Sequence, residues 1–366
     1  MATKRIGISR DLIIHPGETI ADVLEERGIT QAELAARTGV SPAYVSSIIS
    51  GKKDISSSFA MALEYALDVP KSFWLNLQAN YEAQLLELNE ANTVTEDEKA
   101  VLSELHEVVS WLRKLHRIPL GQDKNGTILS LRKEFRISDI SNLGTLAAVG
   151  AFRVSKRAPV NPTVMGAWLK LCQVLGEENT EHVPPFDAKN TDQLIFDLKT
   201  VMLDPGADLQ SDLADVLKRY GIKFSVVKNF KGAPVHGYIS QNKDGEYQMA
   251  LTIRGAFADI FWFSLFHEIG HIVNGDVSKT SGFIDAATII DEAKEAAADK
   301  FAGDALLEPA SYGKFVETGD YSIVGIRRYA DSQRVAPYVV IGRLQKEERI
   351  PYSHFNGYKV RYKWAD

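Results

Sequence analysis

The sequence predicts a mainly α-helical chain carrying one small β-sheet, an α+β arrangement. Three observations lead there. Apolar residues recur at helical spacing over most of the first 175 positions. Strand-like runs are few and short, at Lys223–Val227 and Tyr247–Ile253. A strongly apolar helical stretch, Ile260–Phe266, leads directly into His267-Glu268-Ile269-Gly270-His271. With 366 residues, 45% of them hydrophobic, the chain can bury large cores and divide into two or three domains. The composition breaks place these at residues 1–92, 93–190 and 191–366.

From Thr19 the chain reads as a helix with Ile20, Val23 and Leu24 inward, ended by Gly28. Thr30-Gln31-Ala32-Glu33 has the form of a capping box, Thr30 as N-cap and Glu33 reaching back. Leu34 and Ala35 face inward, Gly39 makes a tight turn and Val40 plugs the core. Ser41 caps a third helix with Pro42 at its first position, where a missing N–H does no harm. Val45 and Ile48 point inward, leaving Pro42, Ala43, Tyr44, Ser46 and Ser47 outside. Gly51 ends the helix, and Lys52 and Lys53 follow as phosphate contacts.

This is a helix-turn-helix pattern, with Pro42–Ser50 as the helix for a major groove. It resembles the lambda-repressor-like XRE family. His15-Pro16-Gly17-Glu18-Thr19 and Phe73-Trp74-Leu75-Asn76-Leu77-Gln78 are similar to HigA-type antitoxins in particular. The resemblance implies a double-stranded DNA operator as partner and a homodimer reading two half-sites. It implies contacts from Gln31, Ser41, Pro42, Ala43 and Ser47, with Tyr44 packing or reaching phosphate. The outward face carries no Arg, Asn or Gln after Ser41, which limits bidentate base reading. Glu18, Asp22, Glu25, Glu26 and Glu33 offset the nearby cations, so weak or shape-dependent DNA binding is expected.

A helix from Trp74 to Leu88 breaks at Asn89–Thr95. Thr95 and Glu98 can cap the next one, which carries Leu102, Leu105, Val108, Val109 and Leu112 at helical spacing. A mostly helical connecting region continues to Leu175, with turns at Gly121–Gly126 and Arg157–Pro162. After Pro184-Pro185 come helices at Leu194–Met202 and Leu213–Tyr220. Trp111 and Trp168 read as core.

In the C-terminal region, residues four apart share a helix face, so His267 and His271 can both reach one metal ion. Glu268 is then placed to hold and deprotonate a water. A second helical stretch, Asp291–Ala302, offers Glu295 as third ligand, with Glu292 as competitor. Asp299, one turn on, can accept the free N–H of a ligand imidazole. His267, His271, Glu295 and a water form a four-coordinate set of the catalytic zinc type, one Zn2+ per chain.

Phe261–His271, Glu295–Ala302 and Leu306-Leu307-Glu308-Pro309 resemble the ImmA/IrrE metallopeptidases, within the gluzincin-like zinc enzymes. Ala297, Asp299 and Glu308 depart from the family's usual Glu, Asn and Met without removing a zinc ligand. The resemblance implies zinc-dependent endopeptidase activity on a protein partner, a repressor or toxin-system component. It also implies that Tyr247–Ile253 is an edge strand able to align an extended peptide. His236 and Tyr238 are candidate donors to the oxyanion of a tetrahedral intermediate.

A net charge of −6 argues against indiscriminate nucleic-acid binding and leaves DNA contact to a local patch. The single cysteine, Cys172, excludes an internal disulfide framework and suits a reducing cytoplasm, where it reads as a core residue. No apolar signal core follows the N-terminus and no stretch is long enough to span a bilayer. The expectation is a cytoplasmic DNA-binding regulator with a peptidase domain that cleaves a partner and relieves repression. The alternative is an antitoxin-like repressor whose peptidase-like domain binds a partner without proteolysis.

Overall fold

The computed structural model describes residues 13–147, 160–204, 208–277 and 292–364. The chain divides into two compact units, residues 1–95 and 96–366.

Among its described residues the first unit is helical, with α1 (Pro16–Arg27), α2 (Gln31–Thr38), α3 (Pro42–Ile49), α4 (Ser57–Leu67) and α5 (Lys71–Glu90). Helix α1 begins a turn earlier than Thr19, because Pro16 takes the first position and His15 caps it, Nδ1 accepting the Gly17 N–H at 2.9 Å. A Cβ on Gly17 would fall 2.0 Å from the Ile48 carbonyl oxygen, so α1 and α3 meet backbone to backbone. Half of the capping box forms: Thr30 Oγ1 accepts the Glu33 N–H at 3.1 Å. The Glu33 carboxylate turns instead to Arg37, four residues on, where a full charge competes with a backbone N–H. Ile20, Leu34, Val45, Ile48, Leu63 and Trp74 form a core sealed from solvent.

In the second unit, α6 (Glu96–Glu104), α7 (His106–Lys114), α8 (Lys124–Phe135), α9 (Leu143–Ala147) and α10 (Pro162–Glu178) come first. The described residues from Glu96 to 190, most of the 93–190 stretch that the sequence sets apart as a connector, fall within this unit. Glu98 is buried and receives Arg132 on both oxygens, at 2.8 and 2.6 Å, and the Ile140 N–H at 3.2 Å.

Helices α11 (Thr191–Leu203) and α12 (Leu209–Arg219) lead to strands β1 (Ile222–Val226), β2 (Gly237–Gln241) and β3 (Tyr247–Leu251). The strand order is β1-β3-β2, with β1 parallel and β2 antiparallel to β3. This corrects the expectation that Tyr247–Ile253 is an edge. Strand β2, which the sequence reading lacks, occupies its second side, so the sheet's edges are β1 and β2.

Helix α10 packs against β1 and β3, while α13 (Ala258–Val273) packs against β2 and β3. Helix α14 (Glu292–Leu306) lies along α13, followed by α15 (Pro309–Thr318), α16 (Ile323–Gln333) and α17 (Pro337–Lys346). Trp262, Leu265, Phe266 and Ile269 join Ile326, Val340 and Leu344 in one sealed core. The chain's last described residues brace the start of α13. Tyr362 N–H donates to Ala256 O at 2.7 Å, Trp262 Nε1–H to the Tyr362 hydroxyl at 2.9 Å, and Lys359 pairs with Asp259 at 2.7 Å. Among the described residues no helix is long and apolar enough to cross a membrane.

Candidate metal centre and helix-turn-helix surface

The apolar positions of α13 hold it against the sheet, and its remaining face carries the histidines. Gly270 lets α14 approach: a Cβ there would stand 3.1 Å from the Ala298 Cα. Ala298 and Ala302 are fully buried at this contact. The small residues of the second helix thus act as a spacer, close enough for a glutamate one turn earlier to reach both imidazoles.

His267, His271 and Glu295 bring their ligand atoms within 4.8 Å of one another. The two Nε2 atoms are 3.1 Å apart, and the Glu295 oxygens lie 3.3 Å from His267 and 3.5 Å from His271. Glu292, the competitor, is exposed at the first position of α14. Asp299 Oδ1 stands 2.8 Å from His267 Nδ1.

A second carboxylate does the same for His271, with Asp276 Oδ2 3.0 Å from its Nδ1. The sequence reading missed Asp276, which lies beyond the helix end. Gly275, at φ 71°, reverses the chain so that the Asp276 N–H also donates to His271 O at 2.9 Å. The Asn274-Gly275-Asp276 turn was the available signal.

These contacts test whether a metal fits. With each Nδ1–H donated to a carboxylate, both Nε2 atoms present lone pairs toward each other. At 3.1 Å the two lone pairs need a shared proton or a metal ion between them, and either suits this geometry. Two imidazoles and a carboxylate suit a transition-metal ion with a position left open for water. Without one, burial lowers the His271 pKa, but hydrogen bonds to Glu295 and Asp276 outweigh it and raise it to about 9. Hydrogen bonds to His267 and His271 hold the Glu295 carboxyl well below the usual range. The pocket is therefore built for positive charge.

Glu268 is buried beside these groups, and Gly237 of β2 makes room for it. A Cβ on Gly237 would fall 2.3 Å from Glu268 Oε1. The next residue on the strand, Tyr238, faces the other way, as alternation requires. Its ring meets Trp168 of α10 edge-on at 6.4 Å, and burial raises its pKa. Tyr238 is thereby removed as an oxyanion donor. His236 precedes Gly237 and its Nε2 receives Arg254 Nη1 at 3.1 Å. Arg donates only, so this nitrogen serves as an acceptor, and Arg254, absent from the sequence reading, is the cation beside it.

In the first unit, Ser41 Oγ accepts the Tyr44 N–H at 3.2 Å, and the exposed Pro42, Ala43 and Ser46 line the outer face of α3. Gln31, Lys52 and Lys53 are exposed around it. Tyr44 packs edge-on against Phe59 at 5.3 Å, with Lys53 Nζ 5.1 Å from its ring. Ser47 is half-buried and donates to Tyr44 O at 2.6 Å, which commits its hydroxyl to its own helix.

The helix-turn-helix family model matches residues 20–74, from within α1 into the start of α5. Over 69 residues the chain is 41% identical to virulence-associated protein A' of Dichelobacter nodosus, covering 19% of this chain and 60% of that protein. The chain thus spans under two thirds of the length of the curated relative it matches. Among solved structures it is similar to the Pseudomonas aeruginosa antitoxin HigA with the higBA promoter, at 37% identity and TM-score 0.20. That match covers 21% of this chain and 85% of HigA. It is also similar to a HigA-family addiction module antidote protein from Coxiella burnetii, at 29% identity and TM-score 0.21. There the shares are 22% and 95%.

Proposed function

We propose that this chain is a DNA-binding regulator whose second unit is a zinc-dependent endopeptidase of the ImmA/IrrE type. The observation that carries the peptidase half is the convergence of His267, His271 and Glu295, with a separate carboxylate on each imidazole. When bound there, zinc supplies Lewis-acid polarisation of a peptide carbonyl and a water made acidic enough to attack near neutral pH. Asp299 and Asp276 fix the two ring orientations. Glu268 takes a proton from the attacking water and delivers one to the leaving amine, so the peptide bond and water become a carboxylate and an amine. Strand β2, at the sheet's edge and touching Glu268 through Gly237, is the strand on which an extended substrate would align.

The DNA half is supported by the family match over residues 20–74 and by the exposed face of α3. A homodimer reading two half-sites of a duplex operator follows from that mode of binding. The protein cleaved is a repressor or toxin-system component, and its loss relieves repression. Glu268→Gln tests the mechanism, because it keeps the shape of the site while removing the base. The variant should retain metal and lose cleavage of a co-expressed partner by at least about a hundredfold. Undiminished cleavage would remove Glu268 from its role.

A further inference from the structure

The second unit carries a basic cleft of about 1090 Å³ that the hydrolytic chemistry does not use. Its walls are the start of α7, the β1–β2 and β3–α13 connections and the C-terminal tail. Among the described residues Lys228, Lys231, Arg254 and Lys363 line it against one carboxylate, Glu107, which accepts the Lys231 backbone N–H at 2.9 Å. The cleft shares His106 and Ser110 with a neighbouring hollow of about 680 Å³, lined by Arg113, Lys114 and Lys124 against the single carboxylate of Asp123. In a chain of net charge −6, this gathering of cations is a strong local inversion.

The cleft is linked to the candidate active site through one side-chain contact. Arg254 lines the cleft and donates to His236, which immediately precedes the glycine seated against Glu268. From this we infer that the cleft binds an acidic, extended polypeptide segment. That the segment belongs to the protein cleaved at Glu268 rests on the peptidase reading. A peptide leaving β2 past His236 enters a positive channel, where Asp and Glu side chains meet lysines in place of solvent. The cleft thus sets substrate class by charge at positions away from the scissile bond. Single-stranded nucleic acid is the competing polyanion. The observations favour peptide because the cleft is linked to the start of β2 through Arg254 and His236, and because of its lining rings Phe230 is buried and Tyr362 half-buried, leaving His106 and Trp364 for bases to stack upon.

The test uses the full-length Glu268→Gln chain supplied with zinc, and fluorescence anisotropy of three labelled probes. These are a 16-residue Asp/Glu-rich peptide, a Ser/Gln peptide of equal length, and a 16-nucleotide oligothymidylate. The acidic peptide should bind at least tenfold more tightly than the neutral one. Combining Lys228→Ser, Lys231→Ser and Lys363→Ser should weaken it at least tenfold, with thermal melting unchanged. Equal affinity for the two peptides, indifference to the triple variant, or preference for oligothymidylate would each overturn the inference. Zinc content of the same samples reports separately on the metal centre. Acidic-peptide binding by a chain that holds no zinc would leave the cleft standing and remove the peptidase reading alone.

Discussion

At the scale of single residues, the two carboxylates behind the imidazoles are the most exposed part of the account. Asp276 and Asp299 each meet one Nδ1, and such partners typically change metal affinity about 10- to 100-fold. Asp276→Ala and Asp299→Ala should each weaken zinc binding by that order in competition with a chelating dye, and together by more. Unchanged affinity in both would mean that the rings are positioned by packing alone. Of these two, Asp299 was legible because it repeats the spacing of a helix turn from Glu295. Asp276 was not, since it acts from a loop whose path depends on the left-handed Gly275. His236 was legible as a polar residue near the site. Its partner Arg254 comes from beyond another strand, and long-range pairing leaves no local pattern.

Among the elements, helices with strong caps were easiest to read. Thr30 and Ser41 start α2 and α3 as expected, and the apolar face of α13 continues into the histidine motif. Strand β2 was hidden because Gly237-Tyr238-Ile239-Ser240-Gln241 begins on glycine and carries little β-branching. The turn following it, with Asn242 and the positive-φ Gly245, was its better signal. Missing β2 misplaced the sheet's edge by one strand. Glu98 shows a second case of long-range pairing. Its position three beyond Thr95 suggests a cap, and burial adds a long-range pairing with Arg132 that no local spacing signals. Glu98→Gln leaves that guanidinium without its charge partner and should cost about 3–5 kcal/mol. Urea unfolding of the second unit measures this, and a loss below about 1 kcal/mol would show the pair to be dispensable.

For the whole molecule, the proposed DNA-binding and peptidase activities fall on two different compact units. The outer face of α3 offers small and capped residues, so the first unit should owe much of its DNA affinity to phosphate contacts. Lys52→Ala should weaken binding to all duplex sequences alike and reduce the salt slope by about one. Sequence-selective loss in a salt-titrated shift assay would instead make Lys52 a base reader. The second unit, we propose, is built around a metal held by His267, His271 and Glu295. The most direct test of this is the zinc content of the purified full-length chain beside His267→Ala, after both are supplied with zinc and freed of excess. About one zinc per chain, lost in the variant without loss of folding, is the predicted result. Folded wild-type protein that takes up no zinc, or a variant that holds as much, would contradict it.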